Sequence, residues 1–168
     1  MTEEKQQISS QYLTFNLGEE VFALEISQVR EILEWMPTTK LPQSPDDMHG
    51  VINVRDKVVP VIDLRIKFGM EAAEKSVDTC IVITEIPVGD GFVVLGALAD
   101  AVREVVELDG SQIEPPPAMG TLLDTRFIKG IGKRDEHFII ILDSERLFDT
   151  EELAMAQSSE IEVDVVNA

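Results

Sequence analysis

One cysteine, two histidines and 14 basic residues against 32 acidic ones leave this chain of 168 residues poor in the groups that build most catalytic centres. A single cysteine cannot form an internal disulfide. Cys80, set in the β-rich run TCIVI, reads as a buried strand thiol. It has no basic neighbour in sequence to lower its pKa, so it makes a poor nucleophile. His137 adjoins the turn-forming Asp135-Glu136 and reads as solvated. His49 ends Asp47-Met48-His49, which offers two metal ligands with no third at matching spacing. No G-x-S-x-G is present. Gly130-Ile131-Gly132-Lys133 looks like a fragment of a phosphate loop, but it lacks the upstream glycine and the Ser/Thr after the lysine. Gly89-Asp90-Gly91 is hairpin-turn material. The residues nominate no catalytic, cofactor-binding or metal-binding set. The expectation is a protein that is not an enzyme and takes no cofactor.

Long apolar runs are missing too. The longest that includes glycine, residues 92–99, falls far short of the roughly 18 residues of a membrane span. The opening MTEEKQQ lacks the apolar core of a secretory signal, so the expected compartment is a reducing cytoplasm. The net charge of −18 disfavours nucleic acid and anionic membrane surfaces as direct partners, since both reward clustered cations. The length suits one domain, or two small subdomains sharing a core, without covalent staples.

What the sequence does have is a repeat. Residues 50–68, GVINVRDKVVPVIDLRIKF, and residues 130–148, GIGKRDEHFIIILDSERLF, align without a gap at an offset of 80. Gly50 falls on Gly130, Asp63 on Asp143 and Phe68 on Phe148. Upstream, VREILE at 29–34 and VREVVE at 102–107 match at an offset of 73. A period this long fits a duplicated subdomain rather than a solenoid.

Alternation and turn residues predict paired strands over 12–17 and 21–24, 51–54 and 58–62, 79–86 and 92–98, and 128–132 and 138–142. Short helices are expected over 27–33, over 100–106, after the capping residues Asp63 and Asp143, and over 151–156 behind Asp149 or Thr150. Pro60 cannot donate to a ladder, which predicts an edge strand or a bulge there. Pro37, Pro42 and Pro45 mark one loop, and Pro115-Pro116-Pro117 its counterpart. Residues 1–10 read as a flexible start, 11–150 as the folded domain with its second half beginning near 78, and 151–168 as a helix with an acidic tail. Many short strands without crossover helices argue for small β-barrels rather than a parallel sheet.

With no pocket chemistry in view, the remaining candidates are surface groups. Arg55, Lys57, Arg65 and Lys67 bring four cations into thirteen residues and read as solvated strand ends or a partner contact. Residue chemistry leaves open whether Arg55 pins its hairpin or faces a partner. It leaves open as well whether Val29 and Ile32 are both core, or one of them is exposed.

GVINVRDKVVPVIDLRIKF resembles the signature of the CheW-type chemotaxis coupling proteins, whose usual form is near G-V-I-N-L-R-G-x-I-x-P-V-I-D-L-R-x-x-F. The likeness extends upstream through YLTFNLGEEVFALEISQVREIL and LPQSP, and downstream over 128–147. It implies an all-β fold with short helices: two five-stranded SH3-like β-barrel subdomains, internally duplicated, sharing a hydrophobic core. The function it implies is non-catalytic scaffolding that couples transmembrane chemoreceptors to the histidine kinase CheA. In that reading Val29, Glu31 and Arg55 meet the helical hairpin tip of a receptor. Gly50 and Met119, the latter in the loop 115–120, serve the kinase, and the free protein is monomeric. Asp56 departs from the pattern, standing where a glycine is usual, and residues 46–49 are more polar than the family's apolar approach to Gly50. A coupling protein of a non-flagellar pathway is the near alternative. A small-ligand-binding barrel is the distant one, and it would need convergent polar groups that the sequence does not supply.

Overall fold

A computed structural model of the protein describes residues 9–116, 125–148 and 152–154. Strand β1 (Ser9–Leu17) turns at Gly18, φ +63°, into β2 (Glu20–Glu25). The predicted hairpins recur as β4 (Met48–Val54) with β5 (Lys57–Asp63), β6 (Cys80–Val88) with β7 (Gly91–Ala99), and β10 (Ile128–Arg134) with β11 (His137–Leu142). Asp63 caps the helical turn Leu64–Lys67 by accepting from the N–H groups of Arg65 and Ile66. Asp143 does the same for Ser144–Leu147 through the N–H of Glu145.

Two expectations fail in the same way. Residues 27–33 are not a helix. A 3₁₀ turn at Ile26–Gln28 leads into strand β3 (Val29–Glu34). Residues 100–106 likewise belong to strand β8 (Ala101–Asp109). The cause is tertiary. Val29, Glu31 and Leu33 are half-buried while Arg30, Ile32 and Glu34 are exposed, and a bulge at Arg30 turns Val29 to a different face from Glu31 and Leu33, a pattern that suits pairing with β6. Ile32 is thus the exposed aliphatic, at 44%, and Val29 packs on the core.

β3 pairs with β6 of the second half, and β8 pairs with β1 of the first. Each half therefore lends its opening hairpin to the other's sheet: β6–β7 joins β3, β4 and β5, while β1–β2 joins β8, β10 and β11. The two sheets run β3-β6-β7-β5-β4 and β8-β1-β2-β11-β10-β9, where β9 is only Ile113–Glu114. That sixth strand is the difference from the expected five. Its counterpart in the first half is a single bridge from Thr39 to Val51. Parallel pairings of β5 with β7 and of β11 with β2 join the halves again.

Pro60 lies in an interior strand, neither at an edge nor at the bulge, which falls between Met48 and Gly50. Val51 spends its backbone groups on Thr39, at 2.8 and 2.9 Å, so the facing Pro60 sits at a position not hydrogen-bonded to β4. Pairing with β7 starts only at Val61. The missing N–H therefore costs no ladder bond.

The core has three parts. Ile52, Val59, Val61, Ile81, Ile83 and Leu98 fill the five-stranded sheet, and Tyr12, Ala23, Val106, Leu108, Ile139 and Ile141 fill the six-stranded one. Between them lies a shared cluster that draws on both halves, including Phe15, Phe22, Phe68, Leu95, Phe127 and Phe148. Its aromatic rings follow one another from Phe15 to Phe22, Phe68 and Phe127 at 5.6 to 6.1 Å. Two filled sheets sharing a common core are the two subdomains. Cys80 is buried in β6, as its sequence suggests, and burial pushes its thiol pKa up. Among the described residues no helix is long and apolar enough to cross a membrane.

Candidate functional site

The β4–β5 connection is a two-residue turn with Arg55 at φ 50° and Asp56 at φ 66°. Both central residues in the left-handed region make it a type I′ turn, the form that matches strand twist. The Asn53 side chain steadies it by accepting from the Asp56 N–H at 2.9 Å. An asparagine three residues before the usual glycine position thus lets Asp56 serve in its place.

The turn aims Arg55 across the sheet. Its guanidinium grips Glu31 with two prongs, Nη1 to Oε2 and Nη2 to Oε1, the latter at 3.0 Å. Glu31 lies on edge strand β3 and Arg55 just past edge strand β4, so the sheet curls until its edges meet at this pair. The hydrogen bond from Arg55 holds the Glu31 carboxyl below its usual pKa, and Glu31 raises that of Arg55. The Arg55 side chain is 71% exposed and Glu31 21%. This is a solvent-facing pair, so salt and water weaken it and it adds little to stability.

Beneath the pair lies a groove of about 150 Å³. The buried Val59 and Ile83 line it together with Val54, Val58 and Val94, and Arg30 and Lys57 stand with the ion pair among its polar lining. Arg30 also reaches Glu85 at 3.4 Å. An apolar trough edged by charges suits an amphipathic segment of a partner better than a small polar substrate.

The structure brings together two of the three residues expected to meet a receptor, Glu31 and Arg55. Val29 lies across a bulge from Glu31, so it pairs beside Thr84 and packs against the shared core, outside the groove. Gly50 is buried on β4, with its φ at +156°. A Cβ there would stand 2.6 Å from Thr38 Oγ1 and 2.8 Å from Thr39 O, so glycine lets β4 approach the 38–39 segment. Beside it, His49 Nδ1 pairs with Thr38 Oγ1 at 2.8 Å and the His49 ring meets Trp35 edge-on. Burial first, and then Lys75, lowers the His49 pKa. Met119 lies outside the described residues, as do Pro117, the expected capping residues Asp149 and Thr150, and the tail from 155 onward.

The other cations are not simple solvated ends. Arg65 binds Asp100 through Nε and Nη2, the latter at 2.6 Å, and so ties one half to the other. Lys67, with its side chain only 4% exposed, pairs with Asp47 at 3.2 Å and with the fully buried Glu152. Spacing could not reveal either role, because the partners lie 35 and 85 residues away.

A family model described as the CheW-like domain matches residues 11–152. The chain is 32% identical over 151 residues to the chemotaxis protein CheW of Klebsiella aerogenes, covering 90% of this chain and 89% of that one. It is 35% identical over 136 residues to the probable chemotaxis protein CheW of Rhizobium etli, covering 81% and 85%. Among solved structures, the scaffolding protein TtCheW from Thermoanaerobacter tengcongensis matches with a TM-score of 0.77 and 39% identity, over 86% of this chain and 96% of that one.

Proposed function

The chain belongs to the CheW-like domain family, and from that premise we propose that it couples chemoreceptors to the histidine kinase CheA as a non-catalytic scaffold. One observation carries the reading. Two halves of common construction differ at the turn that closes each sheet, where only the first places an arginine, clasped to a glutamate over an apolar groove. A feature that barrel construction does not require, on an accessible surface, is where a partner is recognised.

In this reading the helical hairpin tip of a receptor lies on the groove against Glu31 and Arg55, with Val29 supporting β3 from beneath. Gly50 is buried and does not reach the kinase itself. It acts by seating Thr38 and Thr39, whose segment faces the kinase, and Met119 serves a second kinase contact. The free chain is monomeric and works in the cytoplasm, where receptor tips and kinase meet.

Reconstitution with a receptor fragment and CheA tests this, with kinase activity as the readout. Activation that requires this chain is expected. Failure with every receptor class of the same cell overturns the coupling, and a response to receptors of a non-flagellar system alone assigns it to that pathway.

A further inference from the structure

The offsets of 73 and 80, together with the strand registers, also carry the groove at Arg55 onto a second groove. There Thr14, Val21, Arg103, Glu104, Asp135 and Phe138 occupy the stations of Ile83, Val94, Arg30, Glu31, Arg55 and Val58. The Asp135 turn repeats the Arg55 turn, with φ 50° and 68° at Asp135 and Glu136. The construction is the same but the chemistry is not. In the first groove a cation lies across Glu31, whereas in the second the arginine's station holds Asp135, so the same groove is lined by two carboxylates, Glu104 and Asp135.

The second groove is accordingly more open, about 330 Å³ against about 150 Å³. Arg103 and Arg134 line it too, yet neither of them, nor Glu104 or Asp135, is held in a side-chain ion pair among the described residues. Phe138, 63% exposed, lines it as well, and Val105, 47% exposed, follows Glu104 on β8.

We propose that this second groove docks a protein segment that inserts an arginine or lysine between Glu104 and Asp135 and lays an apolar side chain on Phe138. The inserted cation takes the role that Arg55 plays internally in the first groove. It relieves two like charges and finds carboxylate oxygens with no competing partner. An arginine gains further by resting on the Phe138 ring face. Arg103 and Arg134 remain for carbonyl or carboxylate groups of the same segment. The net charge of −18 draws basic segments toward the surface. None of this depends on the receptor reading, since the Arg55 groove takes no part.

The test titrates the full ¹⁵N-labelled chain with a short synthetic peptide of leucine, alanine and arginine, and with a control peptide bearing glutamate for arginine. Saturable shifts at the amides of Glu104, Asp135 and Phe138 are expected with the arginine peptide alone, weakening as salt is added. Asp135→Arg supplies the cation in cis, on a turn whose φ Arg55 already adopts, and should weaken peptide binding roughly tenfold or more. Glu104→Gln combined with Asp135→Asn should do the same without adding a charge of opposite sign, and serves if Asp135→Arg folds poorly. Equal binding of the glutamate peptide, shifts centred elsewhere, or unchanged affinity in the variants overturns the proposal. So does self-association of the free chain that Asp135→Arg abolishes, because it would make a second copy the occupant.

Discussion

Arg55 and Glu31, 24 residues apart in sequence, meet guanidinium to carboxylate where the two edges of the five-stranded sheet come together. The pair is accessible to solvent, so it shapes the surface more than it holds the fold. Arg55 thus ties its turn to the opposite edge of the sheet and faces solvent, where the receptor contact is proposed.

Removing this arginine should separate coupling from folding. Arg55→Ala is expected to keep its melting temperature within a few degrees of the parent, as for an exposed ion pair, while losing receptor-dependent kinase activation. Arg55→Lys should retain part of the activity, because a lysine keeps the charge but not the two-pronged geometry. Thermal melts beside the reconstituted kinase assay read both. An unfolded Arg55→Ala would make the residue structural only.

Gly50→Ala should destabilise the protein by about 1 to 3 kcal/mol, through overpacking against Thr38 and Thr39 O. Gly130→Ala meets Ile113 Cγ2 at 2.6 Å and should cost a similar amount in the other subdomain. Urea unfolding measures both. Kinase binding by pull-down should fail for Gly50→Ala and survive in the folded fraction of Gly130→Ala.

Lys67→Ala removes the ammonium that donates to the buried Glu152 carboxylate and should cost about 1.5 to 3 kcal/mol. The companion Lys67→Met with Glu152→Gln removes both charges and should recover most of that loss. Chemical denaturation of the three proteins decides it, and equal losses in both variants would show that the charge pairing is immaterial.

Acid should loosen the contact between the halves at Arg65. Burial alone would push the Asp100 carboxyl up, but hydrogen bonds from Arg65 and the Gly18 N–H more than offset it and leave its pKa below 3.8. A depressed folded pKa means that this contribution to stability is fully present above the unfolded value, about 3.9, and is lost as pH falls through the lower folded one. Melting curves taken from about pH 5 downward should show a steeper fall for the parent than for Asp100→Asn.

The repeat, the four hairpins and both aspartate caps could be read from the chain because each is set by neighbours in sequence. The strands β3 and β8 could not. VREILE and VREVVE place apolar residues at spacings that serve a helix or a strand, and the choice falls to the edge presented by the opposite half's hairpin. Glu31 and Arg55 were both nominated, yet their contact depends on a curl that no local pattern encodes. Lys67 reads as a surface lysine until Glu152 folds over it from the far end of the domain. Residue type and family pattern marked the site, while its walls, Ile83 and Val94 among them, come from strands whose neighbours are fixed only by the whole fold.

The exchange of the hairpins β1–β2 and β6–β7 makes the two halves inseparable. A chain cut in the connector before β6 would yield one fragment whose β1–β2 hairpin has no sheet to join and whose β3 has no neighbour, and a second fragment with the reciprocal fault. Each is the complement of the other, as in a dimer that has swapped an arm and then been fused into one polypeptide. The five-stranded sheet is one continuous stretch, 29–99, whereas the six-stranded sheet draws on strands from β1 to β11. Folding of the second must wait for contacts between distant segments, so the chain should be slow for its size, and on a ribosome the five-stranded sheet can close once β7 has emerged while the six-stranded one waits for β11.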